Sequence, residues 1–317
     1  MHYPTGPLNA ITDVPGILVG HVHDLSARTG CTAILAPAGA TVGVAVEGSA
    51  PGTRETDLCR PGNLVQQAHG IMLCGGSAFG LAAADGAMRY LAEQGIGFPT
   101  KGGPVPIVPA AVLYDLEVGD GSVRPDAAMG WAACAAAATG AVAEGAVGAG
   151  AGCTAGKLLG AAQAARSGIG TASVKVGAVI VGAIVAVNPF GEVRDPASGA
   201  VLAGPAGGSV DTVGALLGAL PTAGSGQAAS FGEPGTNTTI GVVAVGGRLS
   251  KEGASKVARM AHNGLARTIF PVHTMYDGDA LFCLATGEAE IDVSVAGLAA
   301  SIAVELAVVR AVQAAQS

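Results

Sequence analysis

Short apolar runs recur along the chain and set its first pattern. GILVGHV, CTAILAP, TVGVAVEG, IMLCGG, PIVPAAVLYDL, SVKVGAVIVGAIVAVN, IGVVAVGG and ALFCLATG each read as strands, rich in β-branched residues and bounded by glycine or proline. Helical spacing appears near 78–94, 126–142, 250–267 and 292–315. The strands come in groups rather than alternating with helices, which predicts stacked sheets covered by helices instead of a doubly wound parallel sheet. PTAGSGQAASFGEPGT, 221–236, breaks the pattern and reads as a linker. It runs into GTNTTIGVV, where Asn237, Thr238 and Thr239 stand at the seam between a loose tether and an apolar strand.

Composition sharpens this picture. The 317 residues include 51 glycines and only 3% aromatics, so the core is expected to be built from small side chains and closely packed elements. Charged residues make up 12%, about half the usual share. So thin a charged coat predicts surface buried between subunits, hence a homo-oligomer. The net charge of −7 argues against nucleic acid and anionic membrane surfaces as partners. The most apolar run, 176–187, is too short to span a bilayer and reads as a buried strand. No basic start followed by an apolar stretch opens the chain, and its six cysteines contain no C-x-x-C pair. Both features point to a reducing, cytoplasmic setting.

Several motifs approach known chemistry. GAGCTAGK, 150–157, resembles a phosphate loop, but Ala151 and Leu158 occupy the places where glycine and a hydroxyl are required. CGGSAFG, 74–80, has the wrong glycine spacing for a serine-hydrolase elbow and reads as a strand-to-helix turn, whose helix start still offers donors. His21 and His23 share a strand face, yet no further ligand completes a metal site by spacing. Neither a metal nor an organic cofactor is expected.

Polar residues in apolar context are more informative. Lys157 follows a run of small residues, Asn188 ends the most apolar strand, and Asp277 and Asp279 precede another. Each has an ordinary reading: a snorkelling lysine, a turn before Pro189, a D-G hairpin. Asn237 and Thr238 have one too, as turn residues. Together they supply a hydroxyl beside a scissile carbonyl, a cation, an amide donor and paired acceptors, the groups amide hydrolysis needs.

NAITDVPGILVGH, LCGGSAFGL, VPAAVLYDL, AGK, VNPFG, NTTI and FPVHTMYDGDALF occur in that order over most of the chain. In these segments the chain resembles the L-aminopeptidase/D-esterase family of self-cleaving N-terminal-nucleophile hydrolases. NTTI followed by DGD is closest to its threonine branch, which holds the nylon-oligomer (6-aminohexanoate-oligomer) endohydrolases. The resemblance implies one hydrolase domain over 1–317 with a four-layer α/β/β/α sandwich, a fold also found in ornithine acetyltransferases. It implies self-cleavage between Asn237 and Thr238 into an α fragment, 1–237, and a β fragment, 238–317, with Thr239 facing the other side of the strand. Thr238 would be the nucleophile and its freed α-amine the base. Lys157 would balance charge, Asn188 would donate to the oxyanion, Asp277 and Asp279 would orient the Thr238 hydroxyl and amine, and Tyr114 would line the pocket. Cleaved protomers would assemble as homo-oligomers, a tetramer being the favoured state.

The function expected is hydrolysis of small linear amides, such as 6-aminohexanoate oligomers or short peptides. An aminopeptidase, of the L-aminopeptidase/D-amidase or β-aminopeptidase type, is the alternative within that class. Outside it stand an ornithine-acetyltransferase-like acyltransferase and an uncleaved binding protein.

Overall fold

The computed structural model describes residues 3–208, 212–218 and 236–317. The expected linker, 221–236, lies outside the described residues except for Thr236. The chain begins with β1 (Leu18–Asp24), β2 (Thr29–Val46), β3 (Gly52–Arg54), the single turn α1 (Thr56–Cys59), β4 (Gln67–Cys74), α2 (Ala83–Glu93), β5 (Ala110–Val112) and α3 (Ala127–Ala135). A small ribbon, β6 (Thr154–Ala155) and β7 (Ala165–Arg166), precedes the hairpin of β8 (Ile169–Val176) and β9 (Val179–Asn188). Then come β10 (Glu192–Arg194), β11 (Val201–Ala203), α4 (Thr212–Gly218), β12 (Thr238–Val245), α5 (Lys251–Thr268), β13 (Ile269–Phe270), β14 (Ala280–Ala285) and α6 (Val293–Gln316).

Among the described residues the main strands join in the order β3-β5-β4-β2-β14-β12-β9-β8, with β1 also on β2. Strand β2 belongs to two layers. Its register shifts between Leu35 and Ala40. Before the shift, Cys31, Ala33 and Leu35 pack under α2 and α3 with Ala84, Leu91 and Ala133. Beyond it, Ala45 joins the core beneath α5 and α6 with Val257, Ala261, Val304 and Val308. Between the two halves, Ile34 and Val42 share a core with Ile71, Ile184, Ile240, Val242 and Phe282. Three apolar cores thus separate four layers, helix, sheet, sheet and helix.

The alternation of strand side chains assigns each residue its core. On β12, Ile240, Val242 and Ala244 point between the sheets, whereas Val243 and Val245 point to the helices. The runs CTAILAP and TVGVAVEG prove to be one strand, β2. PIVPAAVLYDL forms a regular strand only over Ala110–Val112, after the prolines at 106 and 109, which have no N–H to give a ladder. The helix expected over 126–142 ends at Ala135, because Ala138 exchanges both backbone hydrogen bonds with Val19 of β1. Helix α6 is long and apolar enough by composition to cross a membrane, but it packs as a core helix against α5, β8 and β9.

Small residues permit this packing. A Cβ at Gly86 of α2 would stand 1.8 Å from the Ala127 carbonyl oxygen, and one at Gly130 of α3 would stand 1.9 Å from that of Ala83. The two helices therefore touch backbone to backbone. Gly86→Ala is expected to cost about 1–3 kcal/mol by overpacking, read as a lowered urea midpoint. An unchanged midpoint would contradict so close a contact.

Candidate active site

Strand β12 places Thr238. It runs antiparallel to β9, with Thr238 opposite Asn188, and parallel to β14 from the Ile240–Ala280 pair onward. The C-terminal end of β9 therefore meets the N-terminal ends of β12 and β14. Thr238 shares a face with Ile240, between the sheets, and Thr239 faces the other way. Asn237, Thr238 and Thr239 are all buried. The Thr238 hydroxyl donates to the carbonyl oxygen of Asn237, the residue just before it. That same oxygen accepts the Gly278 N–H at 2.9 Å.

Asn188 organises one side of the site. Its Oδ1 accepts from Lys157 Nζ at 2.8 Å and from the Thr154 N–H at 3.0 Å, and its Nδ2 donates to the Tyr114 carbonyl at 2.9 Å. Lys157 Nζ also donates to the Asn188 carbonyl at 2.9 Å. Lys157 is only 8% exposed and Asn188 is fully enclosed, so neither the snorkelling lysine nor the simple turn holds. Burial pushes the Lys157 ammonium down to about 8. Near neutral pH this amine lies within reach of both protonation states.

The paired aspartates do not sit as expected. Neither carboxylate accepts the Thr238 hydroxyl, which is turned to Asn237. Asp277 Oδ1 accepts from the Phe190 N–H at 3.0 Å, and its Oδ2 from the Thr274 N–H at 3.1 Å and hydroxyl at 2.6 Å. Asp279 Oδ1 accepts from the Thr239 N–H at 2.7 Å, and its Oδ2 meets the His273 N–H at 3.2 Å and Nδ1 at 2.8 Å. Burial first, and the Asp279 charge second, push the pKa of the Asp277 carboxyl up from its ordinary value, making it a weaker acid. Asn188 likewise spends one Nδ2 hydrogen on the Tyr114 carbonyl.

The site opens into a cavity of about 210 Å³ whose lining includes Tyr114, Glu117, Lys157, Phe190, Thr236 and Asn237. Glu117 accepts the Tyr114 hydroxyl at 3.1 Å. Sequence reading passed over three of these participants: Gly278, Glu117 and His273. Gly278 and His273 lie within the FPVHTMYDGDALF segment, so the signal was present but went to the aspartates. Glu117 had none.

The near-miss motifs are structural. In 150–157, the N–H groups of Gly156 and Lys157 bond the Gly191 and Phe190 carbonyls at 2.9 Å, leaving them unavailable to a phosphate. In 74–80, the Gly76 N–H goes to Asp115 Oδ1 at 2.7 Å and the Ser77 N–H to the Leu113 carbonyl at 2.9 Å. Those two N–H groups are thereby committed to the protein's own oxygens. His21 bonds Thr32 at 2.9 Å, and among the described residues no group of three or more His, Cys, Asp or Glu is placed to hold a metal ion.

Known proteins share this arrangement of chain. A model of peptidase family S58 matches residues 9–317. An uncharacterized aminopeptidase of Mycobacterium leprae is 43% identical over 299 residues, covering 90% of this chain and 80% of its own. The 6-aminohexanoate-oligomer endohydrolase of a Kocuria species is 30% identical over 285 residues, 88% of this chain and 75% of its own. Among solved structures, a Burkholderia β-aminopeptidase superposes with a TM-score of 0.72 at 25% identity, over 99% of this chain and 89% of its own. The L-aminopeptidase D-Ala-esterase/amidase of Ochrobactrum anthropi, described as a variant of the Ntn-hydrolase fold, gives 0.73 at 22% identity, over 99% and 88%.

The displaced Lys157 value carries a stability signature. Between about pH 8 and pH 10.5 the unfolded chain holds a proton on Lys157 that the folded chain has released, so folding stability rises with pH across that window. In a Thr238→Ala background, the stability of the Lys157 chain relative to its Lys157→Met counterpart should grow by about 2 kcal/mol from pH 8 to pH 10. Urea denaturation at the two pH values reads it, and a difference independent of pH would place the amine in contact with water.

Proposed function

The chain belongs to peptidase family S58, and we propose that within it this protein is a self-cleaving threonine amidase whose nucleophile is Thr238. One contact carries the reading. The Thr238 hydroxyl lies on the carbonyl of Asn237, beside the bond it is to cut. Cleavage there leaves fragments 1–237 and 238–317 and frees the α-amine of Thr238. A free α-amine titrates near ~7.7–8.0, where a general base works well, and it sits on the same residue as the hydroxyl it serves.

The neighbouring groups take roles that fit their bonds. Lys157, held on Asn188, sets the charge beside the nucleophile. The second Nδ2 hydrogen of Asn188 is the donor left for a substrate oxyanion. Tyr114 walls the pocket. The buried aspartates fix the loop that closes over the Thr238 end of the strand.

The substrates proposed are small linear amides, such as 6-aminohexanoate oligomers or short peptides, with water as the acyl acceptor. Family membership in a peptidase group favours water over the amine acceptor of an ornithine-type acyltransferase. A second reading, an aminopeptidase, is favoured by Glu117. Its carboxylate lines the cavity beside Lys157 and is suited to a substrate ammonium. Assembly as a homo-oligomer, most simply a tetramer, is supported by the sparse charge and by apolar side chains left in water, including Met275 at 74% and Leu298 at 59% exposure. A cytoplasmic setting is supported by six cysteines that are all free and buried.

Thr238→Ala is expected to stay folded as one chain and hydrolyse no amide, while Thr238→Ser retains both activities in part. Thr239→Ala should still yield fragments 1–237 and 238–317. Intact-mass analysis decides, and two fragments from Thr238→Ala would end the reading. For the second reading, Glu117→Gln should raise KM for amides bearing a free amine and leave their N-acetylated analogues unaffected. Equal effects on both would remove Glu117 from amine recognition.

A further inference from the structure

We propose that the backbone N–H of Gly278 is the oxyanion donor for self-cleavage, and that Asp277 and Asp279 are positioning residues that hold it there. The inference rests on the self-cleavage reading above and assigns to the D-G-D segment a task other than orienting the Thr238 hydroxyl.

The geometry begins at the reacting bond. Gly278 N lies 2.9 Å from the Asn237 carbonyl oxygen, which is the atom that gains charge during the cut. Thr238 Oγ1 bonds to the Asn237 carbonyl carbon, and the carbonyl π pair moves onto the oxygen. The pair then returns as the bond from that carbon to the Thr238 nitrogen breaks. The hydroxyl proton ends on the departing nitrogen, leaving an ester and a free amine. Water hydrolyses the ester to the Asn237 carboxylate and restores the Thr238 hydroxyl. A fixed N–H aimed at this oxygen strengthens as the charge develops, so it lowers the barrier more than it stabilises the starting amide.

Both residues flanking Gly278 are tied down, each to one side of the scissile bond. Asp279 grips the Thr239 N–H at 2.7 Å, just after the nucleophile. Its other oxygen is braced by His273, through Nδ1 at 2.8 Å and the backbone N–H at 3.2 Å. Asp277 pairs with Asn237 as an isolated parallel bridge, and its carboxylate reaches the Phe190 N–H beyond the end of β9. Its remaining oxygen is held by Thr274. The carboxylates thus act as fasteners for the amide between them.

The residue between them must be glycine. A Cβ at 278 would stand 2.4 Å from the Ala50 carbonyl oxygen and 2.9 Å from Thr238 Oγ1. Any side chain would lift the amide off the carbonyl or press on the nucleophile. Close approach, rather than an unusual φ, is the reason.

The test replaces one atom. Glycolic acid in place of Gly278, introduced by nonsense suppression into the full chain, turns the N–H into an ester oxygen. Self-cleavage, followed by intact mass, is expected to slow about 10²–10³-fold. Cleavage at the wild-type rate overturns the proposal, whereas a wild-type chain that never cleaves overturns the self-cleavage reading beneath it. Asp277→Asn carries the test should the ester chain fail to fold. It is expected to slow cleavage at least tenfold at every pH and leave the shape of the pH profile unchanged. A shifted profile would put Asp277 in proton transfer and overturn its positioning role, and an unchanged rate would overturn the clamp.

Discussion

The register of β12 between an antiparallel and a parallel neighbour is the constraint on which the site depends. Antiparallel pairing to β9 sets Asn188 opposite Thr238. Parallel pairing to β14 brings the loop before Ala280, with Gly278 in it, to the same end of the sheet. A one-residue slip of β12 would turn Thr238 toward the helices and bury Thr239 between the sheets in its place. Apolar alternation prevents the slip, because Ile240, Val242 and Ala244 fill one core and Val243 and Val245 another. The hydrophobic effect, acting on these apolar residues, thus fixes where the Thr238 hydroxyl lies.

Burying this site is expensive, and the structure meets the cost with hydrogen bonds rather than charge pairs. Asp277 and Asp279 are fully enclosed, yet their oxygens are met chiefly by backbone N–H groups and by Thr274 and His273. Lys157 is met by the two oxygens of Asn188. Removing any one partner would strand a buried polar group, which is why these residues behave as a unit. Small side chains help as well. Backbone approaches such as those at Gly86 and Gly278 need neighbours without bulk, so the glycine-rich composition and the exactness of the site have a common origin.

Strand positions, their grouping and three of the four main helices were legible from periodicity alone, since burial of one face imposes it. The seam at Thr238, and Lys157, Asn188, Asp277 and Asp279 as polar residues in apolar surroundings, were legible for a related reason: such residues are costly to bury without a task. The boundary of α3 was not, because the Ala138 partner, Val19, is distant in sequence. Nor was the unity of β2, whose two apolar runs share the core between the sheets but turn their other faces to different helix layers.

What the sequence determined was therefore which residues are chemically unusual and in which order they come. Tertiary structure alone decided what each one touches. Asp277 and Asp279 hold backbone amides rather than the Thr238 hydroxyl, Asn188 holds Lys157 and Tyr114, and a backbone N–H with no side chain to announce it lies on the Asn237 carbonyl. The reason is physical. A buried donor or acceptor is satisfied by whatever group the sheet register carries to within hydrogen-bond distance, and register is a property of paired strands, not of either strand read by itself.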